Sequence, residues 1–393
     1  MPMKPVKLCG FITLMLLLCI LLCGCWNYRQ LNQISIVVGM SVDKAANDDY
    51  LLHFELIDLS QPGDKAKGQS FLVESTGKTI FEAARNTKTK VADKLYFGNM
   101  EILVISNQIV KEDGIMSILD WFSRDAEPRE TMKILISQEE TAWEILNTKG
   151  LSNGLVSIDL KEIVESDPET TASTINREAY DVYRNIKSQG LNLLLPAVHC
   201  VENKQNSVTK DEITKKIAAA NGIAIFKGDK FLGYLSPKET FYTLFVLDEI
   251  QGGVISMAMN NSLKPNIGLE ISTSKTKKSY KYENGKITAK LDIETSVYLD
   301  EVDTKIDVEN PEIIKKIEQE AAKTLTKNIK NTIKKVQTQF NSDIFGFGNT
   351  IYKKDYKLWE ELKPNWDQIF PTVEVEINAK IHIRNTAFIK KAN

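Results

Sequence analysis

From Leu8 to Leu22 the chain runs through fifteen residues, LCGFITLMLLLCILL, without a charge, and Lys4 and Lys7 are the only charged side chains ahead of it. That run constrains everything downstream. As a helix it reaches only about 22 Å at 1.5 Å per residue, short of the roughly 30 Å hydrocarbon core of a bilayer. It reads as the apolar region of an export signal rather than a permanent span, so the rest of the chain is expected to fold on the far side of a membrane.

Leu22-Cys23-Gly24-Cys25 then places an apolar residue at −3, small residues at −2 and −1, and a thiol at +1. This resembles a bacterial lipoprotein signal. The resemblance implies that residues 1–24 are removed, that Cys25 carries a diacylglyceryl thioether, and that residues 25–393 stand outside the membrane on a lipid tether. A thiol is needed because sulfur is the nucleophile, and small neighbours because the peptidase closes around the backbone. Each buried CH₂ of an acyl chain contributes roughly 0.8 kcal/mol, so two or more chains hold a protein to a surface without spanning it. With Cys9, Cys19 and Cys23 in the signal and Cys25 acylated, Cys200 is the one remaining thiol. No intrachain disulfide is left, and stability must come from packed cores.

At 42% hydrophobic and 26% charged over 393 residues, the composition is that of a folded protein with room for two or three domains, which excludes disordered and fibrous classes. Charge excludes more. There are 50 Lys+Arg against 52 Asp+Glu, and setting aside Lys4 and Lys7 leaves 48 against 52, a net of −4. No global field draws such a body to nucleic acid or to an anionic bilayer.

Strands are expected at 31–43 and 50–59 around an Asn47-Asp48-Asp49 turn, at 71–74, 100–106 and 132–137, with helices at 79–93 and 114–124 and a polar Gly/Pro loop at 61–70. Such alternation indicates a mixed α/β N-terminal domain, 25–200. A helical stretch at 162–186 and an extended segment at 191–201 follow, and a polar linker is placed at 201–215. The C-terminal region, 216–393, reads as α+β: strands 222–226 and 231–235, a helix 238–248, strands at 254–259, 267–275, 279–282 and 287–299 with an Asn284-Gly285 hairpin turn, and a final alternating strand 373–383. Between them Asn310 and Pro311 open one long amphipathic helix, with Ile314, Ile317, Ala321, Leu325, Ile329, Ile333, Val336 and Phe340 on one face and a Lys-rich, solvated face opposite. The fold class is thus mixed α/β (α+β), multi-domain, with mixed sheets and packed helices.

No constellation for catalysis, cofactor or metal emerges. Ser75-Thr76-Gly77-Lys78-Thr79 mimics the end of a phosphate-binding loop, but Leu72 stands where its first glycine belongs. His53, His199 and His382 share no ligand spacing, and His199-Cys200 point apart on an extended chain. Glu139-Glu140 and Asp248-Glu249 read as surface carboxylates. Gly346-Phe347-Gly348 is too short and wrongly placed for a dinucleotide fingerprint.

The stretch after the anchor, Cys25-Trp26-Asn27-Tyr28-Arg29-Gln30-Leu31 running into Ile36-Val37-Val38-Gly39, resembles the mature start of the C subunits of bacterial spore germinant receptors, the Ger(x)C family. The usual form is Cys-Trp-Asp-Arg-Arg-Glu-Leu, from which Asn27, Tyr28 and Gln30 depart. Gly77-Lys78-Thr79 with Glu82-Ala83, Leu95-Tyr96-Phe97-Gly98-Asn99, and Asp120, Arg124, Glu127 and Arg129 match further family segments in order. So do Gly222 to Lys227, Gly233-Tyr234-Leu235, Asp343 to Gly348, and Trp359, Trp366 and Phe370.

This resemblance implies a non-enzymatic lipoprotein of the spore inner membrane, on its outer face, assembled with a membrane-embedded A subunit and a transporter-like B subunit. It also implies three domains, hence a division of the second half near 300. Trp26, Arg29, Arg124 and Arg129 are the candidate partner-facing residues. The competing reading of the same topology is a lipid-anchored solute-binding protein of a transporter, which requires two doubly wound lobes around a cleft.

Overall fold

The computed structural model describes residues 33–58, 70–124, 127–152, 154–203, 216–259, 264, 266–303 and 306–385, together with Thr13 and Met15. The segment with Cys25, Trp26 and Arg29 lies outside the described residues, as do the loop expected from Gln61 and most of the 201–215 segment.

The β-branched runs of the first half pair into one nine-stranded sheet: β1 (Ile34–Lys44), β2 (Tyr50–Ile57), β3 (Ser70–Gly77), β4 (Lys94–Tyr96), β5 (Ile102–Ser106), β6 (Lys133–Ser137), β7 (Leu194–Glu202), β8 (Lys216–Lys227) and β9 (Lys230–Leu235). The order is β3-β2-β1-β5-β6-β7-β8-β9, with β4 also beside β1. The four central strands, β1, β5, β6 and β7, run parallel, and antiparallel strands close both edges. Parallel strands need cover on both faces, and β5 and β6 are buried at every position. Helices Ile80–Asn86, Ile115–Arg124 and Ala179–Ile186 contribute to the core on one face. Trp143–Leu146 and Val156–Thr170 cover the other.

Three expectations need correction here. The helix expected over 79–93 ends at Asn86 and tightens into a 3-10 turn, Thr87–Thr89, that still buries Thr87. The single helical stretch expected over 162–186 is two helices. The first starts earlier, at Val156, where Val156, Leu160 and Val164 recur every fourth residue. It stops because Asp167 turns its carboxylate onto the Ser173 and Thr174 amides, both at 2.7 Å, and because Ala172 takes φ +51°. Third, the hairpin at 222–235 does not stand apart from the first half: Lys216–Lys227 pairs with β7 along its length and supplies, with β9, the end of the first sheet.

A second sheet has the order β10 (Val254–Met257), β11 (Ile267–Glu283), β12 (Lys286–Val302) and β13 (Glu374–Asn385). The two strands expected at 267–275 and 279–282 are one, β11, and Asn284 (φ +52°) with Gly285 (φ +77°) turn it into β12 as a left-handed pair of residues does. Strand β13 joins parallel to β12. Helix Pro311–Lys335 packs against β13, burying Ile317, Ala321, Leu325, Ile329 and Ile333 while Lys315, Lys323, Lys327 and Lys330 stay in solvent. The Asn310 side chain accepts from the Glu312 amide at 2.9 Å at its start. Its last turn widens into a π turn, Val336–Phe340, that carries Gln337 inward to donate to the Phe370 and Val373 carbonyls.

The two sheets meet at a buried carboxylate. Asp343 is 2% exposed and accepts from the amides of Gly346 (2.9 Å), Phe347 (3.1 Å) and Gly348 (2.8 Å) and from the Trp366 indole (3.2 Å). Its own carbonyl accepts from the Asn192 amide of the first half, and the neighbouring Ser342 hydroxyl donates to the Phe226 carbonyl of β8. Gly348 lies so close to Gly190 and to the Trp359 ring that a Cβ there would sit 2.7 Å from the indole and 2.9 Å from the Gly190 Cα. Gly190, at φ +64°, returns the contact by accepting from the Asn349 amide. The glycines seen in sequence thus wrap the protein's own anion rather than a phosphate.

Burial pushes the Asp343 carboxyl up to about 6 from 3.8, against the pull of those amides. Because the folded-state value lies above the unfolded one, the unfolded chain releases its proton first. This residue's contribution to stability is fully present below pH 4 and falls as pH rises to about 6, by on the order of 3 kcal/mol. Asp343→Asn removes that dependence. It also turns an amide N–H toward the Gly348 and Trp366 donors, which should lower stability by about 2–3 kcal/mol. Urea unfolding of both proteins at pH 4 and pH 7 should show the wild-type advantage shrinking as pH rises.

Candidate functional site

Residues of the N-terminal half that are far apart in sequence gather around one surface groove. Thr79 starts the Ile80–Asn86 helix: its hydroxyl accepts from the Glu82 amide at 3.1 Å, and the Glu82 carboxylate accepts from the Lys78 amide at 2.8 Å. Thr79 is thus the side-chain N-cap, and Glu82 satisfies the amide just ahead of it. Gly77 is required because a Cβ would come within 2.4 Å of the Ala83 amide nitrogen. The Gly-Lys-Thr sequence is therefore a helix start, and its hydroxyl is spent on the helix itself.

Across from this helix stands Ile115–Arg124, with Trp121 edge-on to Phe97 at 5.4 Å. Two hollows lie between these elements. One, of about 610 Å³, is lined by Gln33, Ala84, Arg85, Leu95, Phe97 and Glu127 among others. The second, of about 820 Å³, is lined by Tyr50, Lys78, Thr79, Ser117, Asp120 and Arg124. Phe81 and Trp121 belong to both and form the ridge between them. Phe81 is 49% exposed, with the Arg85 guanidinium 4.9 Å from its ring centre.

Of the residues proposed from sequence, Arg124 closes this groove and Arg129 does not line it. Arg124 is exposed and donates to Asp120 one turn back at 2.8 Å, which holds the Asp120 carboxyl below its usual range. Glu127 pairs with Lys94 of β4. Arg129 stands exposed on the loop that follows, its carbonyl accepting from the Met132 amide. The apolar ridge of Phe81 and Trp121 was missed in sequence; the signal was present as two large aromatics off the buried stripes of their helices.

The residues set aside as chemistry are structural. His53 is buried, hydrogen-bonds Ser41 at 3.2 Å and stacks on Trp143 with ring centres 4.1 Å apart; burial lowers it to about 4, so it is neutral. Burial pushes the Cys200 thiol up to about 11, and its amide donates to Glu139 at 2.7 Å. Glu139 is therefore not a surface carboxylate as expected. Asp248 and Glu249 stay partly exposed and are also engaged, Asp248 accepting from the Thr276 amide (2.6 Å) and both Glu249 oxygens from Arg177 Nη2 (2.9 and 2.8 Å). Among the described residues no group of three His, Cys, Asp or Glu side chains is placed to hold a metal ion, and no helix is long and apolar enough to cross a membrane.

Residues 27–200 match the model of the spore germination protein N-terminal domain, and residues 221–387 that of the spore germination B3/GerAC-like C-terminal domain. The chain is 26% identical to spore germination protein KC of Bacillus subtilis, over 97% of this chain and 96% of that one. It is 25% identical to spore germination protein B3 of the same organism, over 96% and 98%. The crystal structure of the GerBC protein superimposes with a TM-score of 0.56 at 20% identity, covering 91% of this chain and 100% of that chain, which shows a shared fold.

Thr79→Ala removes the helix cap beneath the groove and should lower stability by about 1 kcal/mol in urea unfolding. Inorganic phosphate and ATP should leave the unfolding midpoint of the wild type unchanged; a rise would restore the phosphate-loop reading.

Proposed function

We infer what this chain does from one premise: it belongs to the GerAC family of spore germination proteins, the C subunits of germinant receptors. Within that family we read it as a lipid-anchored, non-catalytic subunit, tethered through Cys25 to the outer face of the spore inner membrane and assembled with the membrane-embedded A and B subunits. The observation that carries this reading is the lipobox at Leu22–Cys25 directly ahead of a body that matches both domains of the family. The buried carboxylates Asp43, Glu55, Asp167 and Asp343 each accept from backbone amides and so serve the fold. We assign the partner-facing surface to Trp26 and Arg29 beside the anchor, to Arg124 at the groove and to Arg129 on the loop beyond it.

The solute-binding alternative is not favoured. It asks for two doubly wound lobes, and the second sheet here is built mainly from one antiparallel hairpin, β11–β12, covered by a single long helix and several short ones.

Cys25→Ser should abolish incorporation of labelled palmitate and release the protein from the membrane fraction of spores; unchanged fractionation would refute the anchor. Arg124→Glu and Arg129→Glu should each reduce recovery of the A and B subunits with the tagged protein several-fold, since reversing a charge at an interface adds repulsion as well as removing attraction. Recovery equal to wild type would move the interface elsewhere.

A further inference from the structure

We propose that the Phe81–Trp121 ridge is the surface by which the body lies on the bilayer, with both rings seated at the boundary between headgroups and acyl chains. This rests on the Cys25 anchor proposed above. Gln33, which lines the first hollow, follows Cys25 by eight residues, and eight residues fully extended reach at most about 28 Å. Gln33 therefore stays within that distance of Cys25, which keeps the groove it lines close to the acyl chains.

The chemistry of the ridge suits that position. Aromatic rings with Lys and Arg around them are the usual composition of a membrane interface, where apolar bodies enter and cationic heads remain among phosphates. Phe81 is about half exposed, with Arg85 over its face, and Trp121 stands beside it. Lys88 and Arg124 flank the two hollows. Of the three acidic residues lining the hollows, Asp120 and Glu127 are matched by Arg124 and Lys94, and with Asp93 they face five cations, Lys78, Arg85, Lys88, Lys94 and Arg124, so the rim's net charge does not oppose approach to a bilayer. A ridge of exposed Phe81 and half-buried Trp121 with a cationic rim, tied by a short leash to the membrane, is placed to complete a weak surface contact that a single anchor leaves free to rotate. The electrostatic balance of the whole body does not supply that contact, so it must come from such a local patch.

The test uses the full lipidated protein in vesicles of phosphatidylcholine and phosphatidylglycerol, with and without bromine on the acyl chains. Bromine quenches indole emission on contact. Trp121→Phe isolates the emission that belongs to Trp121, and the proposal expects that share to fall at least about twofold in brominated vesicles. Phe81→Glu, checked for folding by far-UV circular dichroism, should restore most of it. A Trp121 share equal in both vesicles, from protein whose Cys25 is shown by mass spectrometry to be acylated, overturns the proposal and leaves the anchor intact, assigning the ridge to a protein partner. Protein that floats with vesicles although Cys25 is unmodified would instead overturn the anchor.

Discussion

The arrangement of the two halves depends on a buried anion. Asp343 gathers three consecutive amides and an indole into one shell, and through Asn192, Ser342 and the Gly190–Gly348 contact it fixes the C-terminal helices against β7 and β8. Desolvating a carboxylate is costly unless its oxygens are filled; here four donors fill them, and the half-buried Lys278, donating to the Phe345 carbonyl, adds an opposite charge nearby. Trp359 and Trp366, 5.3 Å apart and edge to face, shut the shell from water.

The same device recurs in the first half on a smaller scale. Asp43 at the end of β1 accepts from the Ala142 and Trp143 amides, Glu55 of β2 from Val156 and Ser157, and Asp167 from Ser173 and Thr174. Each joins elements or closes a turn that the apolar core alone would leave loose. Lys133, 2% exposed on β6, is the cationic counterpart and is held between Glu165 and Glu178. A mildly acidic body thus spends part of its charge inside, as fasteners, and the acidic excess is not a measure of its surface.

Where local pattern decides structure, the residues were enough: the β-branched runs of β1, β5 and β6, the Asn284-Gly285 turn, and the Asn310-Pro311 helix start all read directly. Where a distant group decides it, they were not. Nothing near Asp343 in sequence announces that its second oxygen is met by Trp366, or that Glu249 is met by Arg177. The Val156–Thr170 helix was misplaced because its polar C-terminal half dominated the pattern and the Asp167 turn that ends it is a side-chain effect. Family segments pointed to Arg124 and Arg129 alike, but only packing separates them, bringing Arg124 to the Phe81–Trp121 ridge and leaving Arg129 beyond it.

Strand β13 carries a consequence for how the protein is made. It pairs with β12 in parallel, Asn378 opposite Asp292 across 86 residues of chain. The outer edge of a seventeen-residue hairpin strand therefore stays unpaired until nearly the whole polypeptide has been synthesised. Long-range parallel pairing is slow, and an open edge invites pairing with other chains. The yield of folded protein should accordingly be sensitive to C-terminal truncation well before any loss of the N-terminal sheet, with unfinished chains failing by aggregation.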